Sequence, residues 1–390
     1  GFTAQVYKIT DDDVDIEVSG TTSKSRIVVM GDGVTLHLNN ASMILNERNG
    51  SPIEIAKNKS VTIIFTGENK LTADAGGPGI LVNQGATLTI KEADSTSEVS
   101  SLTVTGAQQD NYTGGDDTIV SSGGGFAGIG GPNSSSQLNY TGTIKIESGI
   151  VNAYGFGYGA GIGGGYGAIP EDTLIGGNGT VTISGGTITE ASGGYMAAGI
   201  GSGYQGLGTV TIEGDAVIKN AQGGEAGAGI GSGTDGDSNI LIRGNAIIEN
   251  AESKTGGAGI GSGQGFLYYD DDIEETIIDK TVGNVTIEGN AKIENAKSGY
   301  GGSGIGGGAI GIGNVIIRGN AQIGNATGGE EGAGIGGGAL GTGDVTIEGN
   351  VTIENAQGGA GAAGIGGGAE TEPDTEDTRN KVSIKSTEAG

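Results

Sequence analysis

Val285-Thr286-Ile287-Glu288-Gly289-Asn290-Ala291-Lys292-Ile293-Glu294-Asn295-Ala296 recurs as Val345-Thr346-Ile347-Glu348-Gly349-Asn350-Val351-Thr352-Ile353-Glu354-Asn355-Ala356. Related segments begin at Val210, Ile240 and Val315, and looser ones at Ile144 and Val181. Each leads into a glycine-rich piece centred on Gly-Ile-Gly, whose isoleucine falls at 129, 162, 200, 230, 260, 305, 335 and 365. Four of the seven intervals between these isoleucines are 30 residues and the others 33, 38 and 45, so the unit accepts insertions but not deletions. Self-similarity of this period marks a stacked repeat architecture.

Three short alternating runs make up one unit: Val210-x-Ile212, Ala291-x-Ile293 and Ala228-Gly229-Ile230-Gly231. Alternation is the signature of strands, and the Gly, Asn and Asp between the runs supply turns. Upstream, Ile27 and Val29, Ile53 and Ile55, and Ile80 and Val82 fall at the third-strand position. Val34, Val61 and Leu88 open first strands. The expected fold is all-β: a single-stranded right-handed parallel β-helix, or β-solenoid, with three strands per coil. About ten to eleven coils, ~4.8 Å apart, make a rod on the order of 50 Å long. Residues 1–390 are expected to form one solenoid domain, with 1–20 as N-terminal cap, 21–120 as less regular coils and 121–390 as glycine-rich repeats of about 30 residues.

The composition fits a thin core. Of 390 residues 87 are Gly and 5 Pro, without a three-residue glycine period, which excludes collagen. A net charge of −27 repels nucleic acid and anionic lipid, so neither nucleic acid nor membrane insertion is expected among its partners. Cysteine is absent, and no apolar run approaches the ~20 residues of a membrane helix. Gly1-Phe2-Thr3 reads as a trimmed start, and export is inferred from the fold type.

Two files of polar residues recur with the repeat. Asn220, Asn250, Asn295, Asn325 and Asn355 share one turn position, where stacked amides bond each other and the backbone. Glu213, Arg243, Glu288, Arg318 and Glu348 alternate in sign on successive coils, an arrangement that fixes register. The glycine runs allow two readings. Alternation turns Ile230 inward and Gly229 and Gly231 outward, as it does Gly259, Gly261, Gly334 and Gly336. Either these glycines supply positive φ in a tight corner, or they leave a bare face for a loop, a second copy of the chain or a polymer.

Insertions at 132–140, 166–179, 264–282 and 369–380 all follow the Gly-Ile-Gly segment, and loops that project from one edge of a solenoid commonly build its binding surface. The candidate ligand-binding residues gather there: Tyr154, Phe156, Tyr158, Tyr166, Tyr195, Tyr204, Phe266, Tyr268, Tyr269 and Tyr300, with Tyr140 nearby. Exposed rings stack on sugar faces; the plainer alternative is that they cover the glycines or fill loop cores. Asp235 and Asp237, and Asp270, Asp271 and Asp272, are weak candidates for calcium, and no other cofactor is expected. The calcium nonapeptide is rejected, because its Asp is missing from Gly257-Ala258-Gly259-Ile260-Gly261-Ser262. His37, the single histidine, is placed outward on its strand; with one histidine and no cysteine, histidine triads and thiol nucleophiles are excluded, and no catalytic residue is assigned.

The block Gly-Ala-Gly-Ile-Gly-Gly-Gly at 332–338, followed by Val345-Thr346-Ile347, resembles the glycine-rich repeats of parallel β-helix proteins of bacterial secreted and cell-surface type; 34–42 and 61–73 resemble the same group. The resemblance runs from about residue 25 onward and implies carbohydrate-binding or adhesin-like β-helices that resemble polysaccharide lyases without their catalytic residues. The expected function is therefore non-catalytic binding of a polysaccharide or cell-surface glycan, extracellular or at a bacterial surface. The alternatives are a self-associating structural spacer, joined end to end or face to face, and a polysaccharide lyase- or hydrolase-like enzyme. An ice-binding role is more remote, because Thr182, Thr211, Thr286 and Thr346 read as single interrupted files. Val382-Ser383-Ile384 reads as an uncapped strand, which favours end-to-end association or a further segment.

Overall fold

The computed structural model describes residues 4–46, 50–74, 76–94, 99–108, 125–132, 141–166, 177–270, 275–369 and 380–385. The chain is a right-handed parallel β-helix. Like residues stack on like: Val210 lies beside Val181 and Ile240, Ala221 beside Ala191 and Ala251, and Ile230 beside Ile200 and Ile260. The third-position strands form one sheet of twelve. First and second strands merge into a sheet of twenty-one, because Val34–Leu45 runs through both. Among the described residues there is no helix, and the only antiparallel strands are Phe266–Asp270 and Glu275–Asp279, a hairpin inside the insertion at 264–282. An isolated antiparallel bridge joins Phe126 to Phe156.

The stretch expected as a cap is itself wound into the stack. Gln5–Ile9 pairs in parallel with Ser25–Val29, and Asp15–Thr22 pairs with Val34–Leu45, which adds a turn to the count the repeats give. Inside, one continuous cluster, chiefly Ile, Val, Leu and Ala with Met43 and Phe65, runs from Ile27 to Ile347. It is narrow because each coil contributes only a few inward side chains, among them Ile212, Ile218 and Ile230, all fully buried. His37 is outward, as expected, with its Nε2 3.8 Å from Asp15 Oδ1.

The glycine face is not bare. Gly229, Gly231, Gly259, Gly261, Gly334 and Gly336 are all buried, which removes the reading that a partner lies on them. The covering comes from the same chain. On either side of each isoleucine the backbone closes on itself: Ala198 N–H donates to the Ser202 carbonyl at 3.0 Å, and Ala228 to Ser232 and Ala258 to Ser262 at 2.9 Å. Farther out, the residue four after one isoleucine donates to the residue four before the isoleucine of the preceding coil. Tyr204 N–H reaches the Tyr158 carbonyl at 3.2 Å, Thr234 reaches Met196 at 2.9 Å, and Ala339 reaches Gly301 at 2.7 Å. These bonds form a seam along the third vertex, and the glycines lie beneath it.

Glycine is needed there for two separate reasons. Gly231 has φ of +138°, a region other residues rarely enter, and a Cβ on it would overlap the Gly261 carbonyl oxygen of the next coil. Where a serine follows, it ties adjacent coils together: Ser202 Oγ donates to the Gly206 carbonyl at 2.7 Å and accepts from Gly233 N–H at 3.1 Å.

The asparagine file is bonded as expected, Asn295 to Asn250 and Asn325 to Asn295 at 3.1 Å. A second amide file, Asn290 to Asn245 at 3.1 Å and Asn320 to Asn290 at 3.2 Å, was not singled out from the sequence. The alternating charges resolve into separate pairs, with Arg243 Nε 2.7 Å from Glu213 and Arg318 Nε 2.8 Å from Glu288. The outward threonines form a wider array than single files, since Thr180 and Thr182 stack on Thr209 and Thr211. Asn239 and Leu241 end it on the next coil.

Stacking of this kind predicts opposite tolerances at two positive-φ glycines. Gly231→Ala should cost on the order of 3 kcal/mol or more, from backbone strain plus overlap with the next coil. Gly20→Ala, at φ +85° with nothing within 4 Å of a new Cβ, should cost roughly 1 kcal/mol of strain alone. Denaturant unfolding measures both, and equal losses would contradict the close coil-to-coil approach.

Candidate functional site

The seam makes neighbours of side chains far apart in the sequence. Tyr158 lies on its leading arm and Tyr204 on the trailing arm of the next coil, joined by the backbone bond that closes the seam. Tyr166 occupies the same position as Tyr204 one coil earlier, its N–H donating to the Gly125 carbonyl at 3.0 Å. The rings meet accordingly. Tyr158 is 5.2 Å from Tyr166 and 5.4 Å from Tyr204, and Tyr166 stacks on Tyr204 at 6.2 Å. Phe266, brought in by the hairpin, sets its edge on Tyr204 at 6.5 Å. All four rings are half-buried, so they pack on one another and retain open surface.

Beside the rings runs a groove of about 330 Å³, within the range of small-ligand sites. Gln205, Asp235, Asp237, Asp279, Lys280 and Thr281 are among its lining residues. Gln205 and Asp235 follow Tyr204 and Thr234 on adjacent coils and both hold the left-handed region, with φ of +56° and +57°. Asp235 Oδ2 accepts from Gln205 Nε2 at 2.7 Å. Asp237 Oδ1 accepts from Val282 N–H at 2.7 Å and so fastens the returning end of the insertion to the coil. Burial raises the Asp235 carboxyl above its ordinary value; the Gln205 hydrogen bond opposes the shift and the charges of Asp279 and Asp237 add to it. Burial, followed by the charge of Asp235, pushes the Tyr204 hydroxyl up to about 12.

The expected ligand-binding residues separate into groups. Tyr158, Tyr166, Tyr204 and Phe266 come together. Tyr154 stands on the second strand of its coil, its hydroxyl raised by burial and then by Glu190. Phe156 is held by its bridge to Phe126. Tyr195 and Tyr300 sit at one repeat position on the leading arm, each 55% exposed. Tyr268 and Tyr269 pair with Ile277 and Thr276 in the hairpin, but their side chains lie outside the described residues, as does that of Asp270. Asp271, Asp272 and Tyr140 lie wholly outside them.

Of the expected calcium candidates, Asp235 and Asp237 do share the groove. Among the described residues, no three His, Cys, Asp or Glu side chains stand close enough to hold a metal ion. Sequence reasoning missed Gln205, Asp279 and Lys280. Asp279 and Lys280 come to the groove only because the hairpin returns to its starting coil, a closure for which the sequence carries no local sign.

A family model described as a beta helix repeat matches residues 144–166 and 181–204, which include the third-position isoleucines 162 and 200 and all three clustered tyrosines. No curated protein and no solved structure matches the chain.

The Tyr204 hydroxyl titrates higher in the folded chain than the ordinary value of 10.0, so its contribution to stability is complete below pH 10 and lost as pH rises through about 12. Between about pH 9 and 11.5 the denaturation midpoint of Tyr204→Phe should fall less than that of the wild-type chain. Equal falls would show that Tyr204 is not held protonated by its surroundings.

Proposed function

We propose that this parallel β-helix is a non-catalytic binding protein of the bacterial cell surface or exterior, holding a glycan along its seam edge. The observation that carries the reading is the cluster of Tyr158, Tyr166, Tyr204 and Phe266 beside a polar groove. Half-buried rings offer apolar area to the C–H faces of a pyranose. Gln205, Asp237, Asp279 and Lys280 supply donors and acceptors for hydroxyl groups at the rim. Binding is favoured over catalysis because Asp235 and Asp237 already serve the loop architecture, through Gln205 and the Val282 N–H.

A second reading has an observation of its own. A carboxyl raised by burial, with two other carboxylates lining the same groove, is what a glycoside hydrolase uses as general acid. In that reading Asp235 is the acid and Asp237 or Asp279 its partner. Release of reducing ends that disappears in Asp235→Asn would establish it.

The binding reading is tested by retention of the full chain on insoluble polysaccharides. Tyr204→Ala and Tyr166→Ala should each weaken retention about five- to tenfold, the loss of ~1 kcal/mol of ring contact. Tyr300→Ala, outside the cluster, should leave it unchanged. A folded wild-type chain retained by no polysaccharide, or ring variants retained as well as wild type, would end this reading.

A further inference from the structure

The groove carries negative charge that the protein does not neutralise. Asp235, Asp237 and Asp279 line it with one cation, Lys280. Among the described residues none of the three carboxylates is in an ion pair. Asp235 is 9% exposed, and its one side-chain donor is the neutral amide of Gln205. A buried carboxylate calls for a compensating positive charge. The arrangement does not suit a metal ion, since among the described residues no three acidic groups converge tightly enough. A cavity of about 330 Å³ is also far larger than an ion requires. Carboxylates spread around a cavity of that size suit an organic cation.

Resting on the glycan reading, we infer that the groove takes an amino sugar, its ammonium group held among Asp235, Asp237 and Asp279 while the neighbouring rings hold the polymer. A neutral sugar's hydroxyl groups would donate to the carboxylates but leave their mutual repulsion in place, and a uronic acid would add to it. An ammonium group relieves the repulsion and donates up to three hydrogen bonds.

The test compares retention of the full chain on insoluble chitosan, on chitin as its N-acetylated counterpart and on cross-linked pectate, at mildly acidic pH and about 0.15 M salt. The expected order is chitosan at least ~tenfold tighter than chitin, with pectate weakest. Asp237→Asn with Asp279→Asn should bring chitosan retention down to the chitin level. A chain of charge −27 attracts any polycation, so Glu249→Gln with Glu354→Gln removes the same charge from the second strands and should preserve the preference. An equal loss in both double variants would assign the preference to whole-chain charge and overturn the inference. Equal retention on chitin and chitosan, or preference for pectate, would overturn it while leaving glycan binding intact. Retention on none of the three would count against the glycan reading as well.

Discussion

At the third vertex the coils rest on one another chiefly through backbone, and the carbonyl oxygen of Gly261 fills the space that a side chain on Gly231 would need. That approach sets the height of a coil there and forces a hydrogen-bonded narrowing around each isoleucine. The flanking arms then close above it as the seam. Identical pairing of Ile200, Ile230 and Ile260 along the inside keeps the three rows of the core aligned. Glycine is abundant in this chain because the main chain does the packing that side chains do elsewhere.

The remaining ladders work at different strengths. Buried backbone bonds and the serine tether at Ser202 are shielded from water, where a lost partner is costly. The amide files lie at turns and bond each other side by side. The ion pairs Glu213–Arg243 and Glu288–Arg318 are partly exposed at the surface, and surface pairs contribute about 0–1 kcal/mol each. Their value lies in marking the register, since a slipped coil would leave each charge without its partner.

The same geometry separates what the repeat conserves from what it leaves free. Inward positions accept only residues that fill a narrow prism. Seam positions point away from it and vary: Tyr166, Tyr204, Thr234, Gln264, Ala309 and Ala339 all stand four residues after their isoleucine. Large rings occupy one stretch of the seam and alanines another, so a local site arises on a uniform scaffold. The hairpin at Phe266–Asp270 and Glu275–Asp279 completes that site, because its two ends lie against the neighbouring coil that carries Asp235 and Asp237.

Coil architecture, strand positions, core rows and the asparagine file were legible in the sequence, because a stacked repeat writes each inward contact once per period. Val210, Ile293 and Ile230 could be placed without coordinates for that reason. Burial of the glycines was not legible, since alternation alone sends Gly229 and Gly231 outward and says nothing of arms folding over them. The aromatic residues were found as a neighbourhood, but composition did not divide Tyr158, Tyr166 and Tyr204 from Tyr195 and Tyr300. Only the seam, which bonds a residue to one a whole coil away, decides which rings touch. Asp279 and Lys280 depend on the same closure in three dimensions: their place beside Asp235 comes from the return of a hairpin, and nothing local in the chain encodes it.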